Sequence, residues 1–117
     1  MELTLLVIRS AIPEQLAAFY TSLGLHFDHH QHGNGPFHYS AHIGPTVLEI
    51  YPLVKNQDKA DTNLRLGLAM REFDARISHL KEVGVTFHQA PTSTEWGMMA
   101  VVLDPEGRKV ELTPKKM

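Results

Sequence analysis

Leu48-Glu49-Ile50-Tyr51-Pro52 and Val110-Glu111-Leu112-Thr113-Pro114 follow one pattern twice: an acid between two aliphatic residues, closed by proline. Upstream of each lies a second matched pair, Leu23-Gly24-Leu25 and Val83-Gly84-Val85. A duplication of this kind governs the fold class before any single residue does. Working outward, each copy reads strand, helix, strand, strand, strand. The expectation is an α+β chain of two βαβββ modules, about 1–53 and 63–117, joined by a polar linker at 54–62. Their strands are expected to form a curled mixed sheet with a concave ligand cavity, the helices covering the other face.

The elements rest on periodicity. Residues 3–9 are short, apolar and β-branched, as a strand requires. Pro13 suits the first turn of a helix, and Ile12, Leu16, Phe19, Tyr20 and Leu23 then recur at helical spacing. Gly24 ends that helix. A polar strand is expected over 26–31, a turn at Gly33-Asn34-Gly35-Pro36, an alternating strand over 37–43 and another over 46–51. In the second copy, strands are expected at 64–70, 85–88, 98–103 and 109–113. Phe73, Ile77, Leu80 and Val83 form the helical face, and 89–96 is a loop.

Composition narrows the function. The 117 residues carry 43% hydrophobic and 21% charged side chains, an ordinary globular balance. Cysteine is absent, which removes disulfides, thiolate metal sites and a cysteine nucleophile. A net charge of −2 with scattered Lys and Arg gives no electrostatic case for nucleic acid or anionic lipid. No apolar run approaches the ~20 residues of a membrane span. Met1-Glu2-Leu3-Thr4 has no basic leader, so a cytoplasmic location is expected. Gly33-Asn34-Gly35-Pro36 lacks the lysine and helix of a phosphate loop. Ser40 and Ser93 lack the context of a hydrolase nucleophile. Histidine is over-represented: eight in all, six of them between His26 and His42.

Alternation sets which side chains share a face. Leu48 and Ile50 are expected beneath the first helix, which turns Glu49 to the opposite face. Val110 and Leu112 do the same for Glu111. Two acids in equivalent places, each centred on a strand, are a site candidate, against the plainer alternative of two solvated glutamates.

These features resemble the vicinal oxygen chelate superfamily of glyoxalase I, bleomycin-resistance proteins, extradiol dioxygenases and fosfomycin-resistance proteins. The resemblance spans nearly the whole chain. It is carried by Ile12 to Tyr20 ending at Leu23-Gly24-Leu25, by Leu48-Glu49-Ile50, by Phe73-Asp74 through Gly84-Val85, and by Asp104-Pro105-Glu106-Gly107 leading to Glu111-Leu112. It implies a divalent ion (Zn, Ni, Mn or Fe) held by one residue from the first strand and a glutamate from the last strand of each half. Glu49 and Glu111 match the glutamates, which would also be the catalytic groups. Leu5 and Arg65 stand at the first-strand positions. Leucine has no ligand atom and arginine stays protonated, so half of that shell is missing.

Three readings follow. In the first, the protein binds a small polar or aromatic molecule without the full metal shell, Arg65 balancing the acids or holding an anionic ligand group. In the second, it is a metal-dependent lyase, isomerase or dioxygenase acting on vicinal oxygens, with His38 or His42 joining Glu49 and Glu111 as ligands. In the third it is an inert structural homologue. Trp96 is a candidate for stacking on a ligand, Arg9 for anchoring an anion, and Tyr51 for supplying a phenolic donor. The His29-His30-Gln31-His32 run looks like a metal tract, but neighbours on a strand point to opposite sides, so it is not expected to converge. The resemblance and symmetry together imply a homodimer.

Overall fold

The structure is a computed structural model and describes residues 1–116. Contacts divide it into two units, one over Met1–Asp61 and one from Thr62 onward. The first contains β1 (Leu5–Ser10), α1 (Pro13–Ser22), β2 (Asp28–Gln31), β3 (Phe37–Ile43) and β4 (Thr46–Pro52). The second contains β5 (Leu66–Met70), α2 (Phe73–Glu82), β6 (Phe87–Thr94), β7 (Gly97–Leu103) and β8 (Lys109–Pro114). Both are βαβββ. The sheets run β1-β4-β3-β2 and β5-β8-β7-β6. In each, the first strand pairs parallel to the last and the other pairings are antiparallel. The result is an α+β chain with two four-stranded mixed sheets.

The matched glycines have a shared physical task. After α1, Gly24 (φ 114°) donates to the Thr21 carbonyl at 3.0 Å and Leu25 donates to that of Tyr20 at 3.2 Å. After α2, Gly84 (φ 82°) donates to Lys81 at 3.2 Å and Val85 to Leu80 at 3.0 Å. Each is a Schellman cap, which needs a left-handed residue after the helix and so favours glycine. The helix starts differ. α1 has Pro13 in its first turn and Ser10 Oγ accepting from the Ile12 N–H at 3.0 Å. α2 starts from Glu72, a non-glycine residue at φ 53°.

The helices cover the expected faces. Leu16 and Tyr20 of α1, with Leu48 and Ile50 of β4, are fully buried. In the second unit Leu80, Ala100, Val102, Val110 and Leu112 are likewise sealed from solvent, with Phe73 and Ile77 nearly so. Truncating any of the large ones to alanine would cost roughly 2–5 kcal/mol. Val83 departs from expectation: it is 55% exposed, because the chain has left the helical path at this C-cap.

Strand boundaries also move: β2 and β5 each start two residues later than expected. The strand expected at 85–88 is β6, continuing through Pro91 to Thr94, so most of the expected loop at 89–96 is sheet. Proline is tolerated there because β6 is an edge strand, and the register slips on either side of Gln89. The polar segment after β4 is irregular, with Gln57 closing a turn: its amide accepts from Val54 N at 3.1 Å and donates to Lys59 O at 3.2 Å. Among the described residues, no helix is long and apolar enough to cross a membrane.

Candidate functional site

In the first unit, alternation and register gather a polar group on the sheet face turned away from α1. Ser40 lies opposite Glu49, and His30 opposite His38. Ser40 Oγ donates to Glu49 Oε2 at 2.9 Å. His38 Nε2 lies 3.2 Å from the same oxygen. That approach is within ion-pair distance but misaligned for a hydrogen bond, so Nε2 has no hydrogen-bond partner although His38 is 1% exposed. Its other ring nitrogen, Nδ1, is 3.4 Å from the Pro36 carbonyl, which can only accept. Tyr51 stacks on the His38 ring at 4.3 Å and 6°, and the Arg9 guanidinium lies 4.7 Å over Tyr51 while donating to Pro52 O. Arg9, Tyr51, His38 and Glu49, all candidates from sequence, therefore stand together.

Two further residues complete the group. His30 packs edge-on to His38 at 4.3 Å, and His32 approaches both His30 and His38 at about 5 Å. His30, His32, His38 and Glu49 present ligand-type atoms all within 4.8 Å of one another. Sequence reasoning set His30 and His32 aside with their run. The missed signal was a spacing of two, which puts both on one side while His29 goes to the other. His29 indeed stacks on Tyr39, at 4.4 Å. His42 shares the face, opposite Val47, but is exposed and lies outside the group. Four residues of strand separate it from His38, roughly 13 Å.

In the second unit Glu111 is met by a different partner. Arg65, one residue before β5, donates through Nε to Glu111 Oε1 at 2.9 Å and places Nη2 at 2.7 Å from it. The two side chains are 46% and 36% exposed. Gly67 is paired beside Glu111. Trp96 sits at the tip of the β6–β7 hairpin, 82% exposed. It is five residues from Val101, the partner of Glu111, or roughly 16 Å along the strand.

The loop before β8 holds a buried ion pair. Arg108, 1% exposed, donates to Asp104 Oδ2 at 3.1 Å and Glu106 Oε1 at 3.0 Å. Burial alone would lower the pKa of this guanidinium. The hydrogen bonds and charges of Glu106 and Asp104 outweigh it, and the pKa is held above its ordinary value. Asp104 Oδ1 also accepts from the N–H groups of Glu106 and Arg108, so these charges serve the loop. Open surface clefts lined by Arg71, Glu72 and Lys115, and by Ile12, Pro13 and Glu14, contain none of the candidate residues.

A metal shared in the way the resemblance implies does not fit these residues. Leu5 offers no donor, and Glu111 already carries the Arg65 guanidinium.

The comparisons with known proteins agree on the fold. TnmS3, an antibiotic binding protein from Streptomyces sp. CB03234, superposes with a TM-score of 0.80 at 23% identity, over 99% of this chain and 97% of that one. A glyoxalase/bleomycin resistance protein from the same organism gives 0.74 at 24% identity, over 96% and 99%. Oxidase ChaP-H2 gives 0.76 at 18% identity, over 99% and 94%. No curated protein sequence matches. A binding protein and an oxidase thus share the architecture, which by itself selects neither activity. Residues 3–112 match the Glyoxalase/Bleomycin resistance protein/Dioxygenase superfamily, and the chain belongs to it.

Proposed function

We propose that the protein binds a small polar or aromatic molecule, with Arg65 anchoring an anionic group of the ligand. The observation that carries this reading is the pairing of Arg65 with Glu111. A guanidinium has five N–H donors in a rigid fork. Two of its nitrogens serve one carboxylate oxygen of Glu111, and the side chain is half-exposed. Glu111 thereby orients the fork, and its outer edge is available for a carboxylate or phosphate. The fold accommodates binding of this kind, since TnmS3, which shares it, is an antibiotic binding protein.

A second reading, a divalent-metal-dependent lyase, isomerase or dioxygenase using Glu49 and Glu111, is favoured by His38 against Glu49. The missing ligands at Leu5 and Arg65 weigh against it. Both readings take the protein as a cytoplasmic homodimer, two-fold pairing being the common arrangement of soluble oligomers. Sedimentation velocity checks the dimer.

Calorimetric titration with aromatic carboxylates and with aryl phosphates tests the first reading. Saturable binding is expected, weakened about tenfold or more in Arg65→Ala, since a charge-assisted hydrogen bond is worth roughly 1.5–3 kcal/mol. Absence of saturable binding across both ligand types ends the reading. Unchanged affinity in Arg65→Ala reduces Arg65 to a partner of Glu111.

A further inference from the structure

We propose that His30, His32, His38 and Glu49 form a divalent-cation site of zinc type, contained wholly in the first unit and independent of the ligand-binding reading. The donor set is three imidazoles and one carboxylate, with ligand-type atoms within 4.8 Å of one another. Such a set suits a borderline cation and is too rich in nitrogen for Mg²⁺ or Ca²⁺.

The His38 ring is the strongest argument. Its Nδ1 lies 3.4 Å from a carbonyl oxygen, which accepts only, an arrangement that favours the tautomer with the proton on Nδ1. In the neutral ring Nε2 then bears a lone pair. That lone pair lies 3.2 Å from a carboxylate oxygen, buried, with no hydrogen bond to relieve it. Two such atoms facing each other are relieved by a cation between them, as they would be by a proton on Nε2, and two further imidazoles within reach favour the cation. A tetrahedral site with bonds of ~2.0–2.1 Å sets its ligand atoms roughly 3.3 Å apart, which is the spacing already present between His38 and Glu49.

The surroundings match what metal ligands require. A ligating histidine usually donates its other N–H to a carbonyl or carboxylate, as His38 does toward Pro36. The ligating carboxylate is itself hydrogen-bonded, as Glu49 is by Ser40. Stacking on Tyr51 fixes the His38 ring plane. His38 and Glu49 thus form a rigid half. The other half is adjustable: His30 lies on the short edge strand β2 and His32 just beyond it, one half-buried and one exposed. Small rotations of these two imidazoles close the remaining distances. Four protein donors make the site closed, so its role is to tie β2 and the β2–β3 turn to the body of the sheet.

The test uses untagged, chelator-stripped protein and Zn²⁺ alone, followed by calorimetry, with Co²⁺ absorption as a second readout. The expected result is one Zn²⁺ per chain and the intense visible bands of tetrahedral cobalt. His30→Ala and His32→Ala should each weaken Zn²⁺ binding by at least ~100-fold, beyond the ~10–100-fold lost with an outer-shell partner. Far-ultraviolet circular dichroism confirms that these surface variants fold. Glu111→Gln and His42→Ala should bind as the parent does. Failure to bind Zn²⁺ stoichiometrically, or full affinity in either His30→Ala or His32→Ala, overturns the proposal. Loss of binding in Glu111→Gln overturns it too. Arg65→Ala, which tests the ligand-binding reading, should leave Zn²⁺ binding unchanged, so the two can fail separately.

Discussion

Glu49 and Glu111 hold equivalent positions, each on the last strand of its unit and facing away from the helix, yet they meet opposite chemistry. Around Glu49 are a serine hydroxyl and a buried imidazole, and its side chain is 16% exposed. Around Glu111 is a half-exposed guanidinium, already cationic. The first acid accepts a hydroxyl hydrogen and faces an imidazole nitrogen; the second is neutralised by a guanidinium. The hairpins that lead into these strands differ as well. β3 and β4 are joined by Gly44-Pro45 alone, whereas β7 and β8 are joined by a loop built around buried Arg108. The two units share one scaffold and differ in what surrounds the acid.

That contrast can be broken in order of size. The largest effect belongs to Arg108, which has no counterpart in the first unit. Arg108→Ala leaves two carboxylates buried or nearly so, and a loss of about 3 kcal/mol or more is expected in urea unfolding. Arg108→Lys keeps the charge but loses the fork and should fall between the two. A loss below about 1 kcal/mol for the alanine variant would mean the pair is decorative. Next comes metal. Zn²⁺ at a hundred times its dissociation constant should stabilise the parent by ~2.7 kcal/mol, seen as a raised melting temperature, and should not stabilise His32→Ala. An equal rise in both would place the cation elsewhere. Arg65→Ala should change stability by less than about 1 kcal/mol, because exposed pairs are screened by solvent, while weakening anionic ligands as described above. A large stability loss would show that Arg65 is structural. Smallest of all, Trp96→Ala should shift stability by under ~0.5 kcal/mol, given its exposure at a hairpin tip. A greater loss would reveal a contact for Trp96 that the isolated chain lacks.

Much of the scaffold was legible because it is written in local terms. A glycine two residues past a helix end, with aliphatic neighbours, specifies a Schellman cap without reference to the rest of the chain, and it occurs twice. Period-two alternation told which side of β4 and β8 each acid takes. The exceptions have equally local causes. Val83 kept the helical spacing but fell on the C-cap. Residues 89–96 read as a loop, and Pro91 within them is tolerated in a strand because β6 lies at the edge of its sheet.

The amino-acid sequence by itself determined the duplicated βαβββ order, the helix caps and the face on which each glutamate lies, since all of these follow from spacing along one strand or helix. Tertiary structure alone decided which side chains meet across strands. His30 faces His38 because the turn at residues 32–36 sets one register of β2 against β3, and a slip of one residue would turn His30 to the opposite face. Arg65 reaches Glu111 because β5 pairs with β8 across an intervening helix and two strands. Contacts of that kind depend on how distant segments are brought into register, which no local pattern encodes.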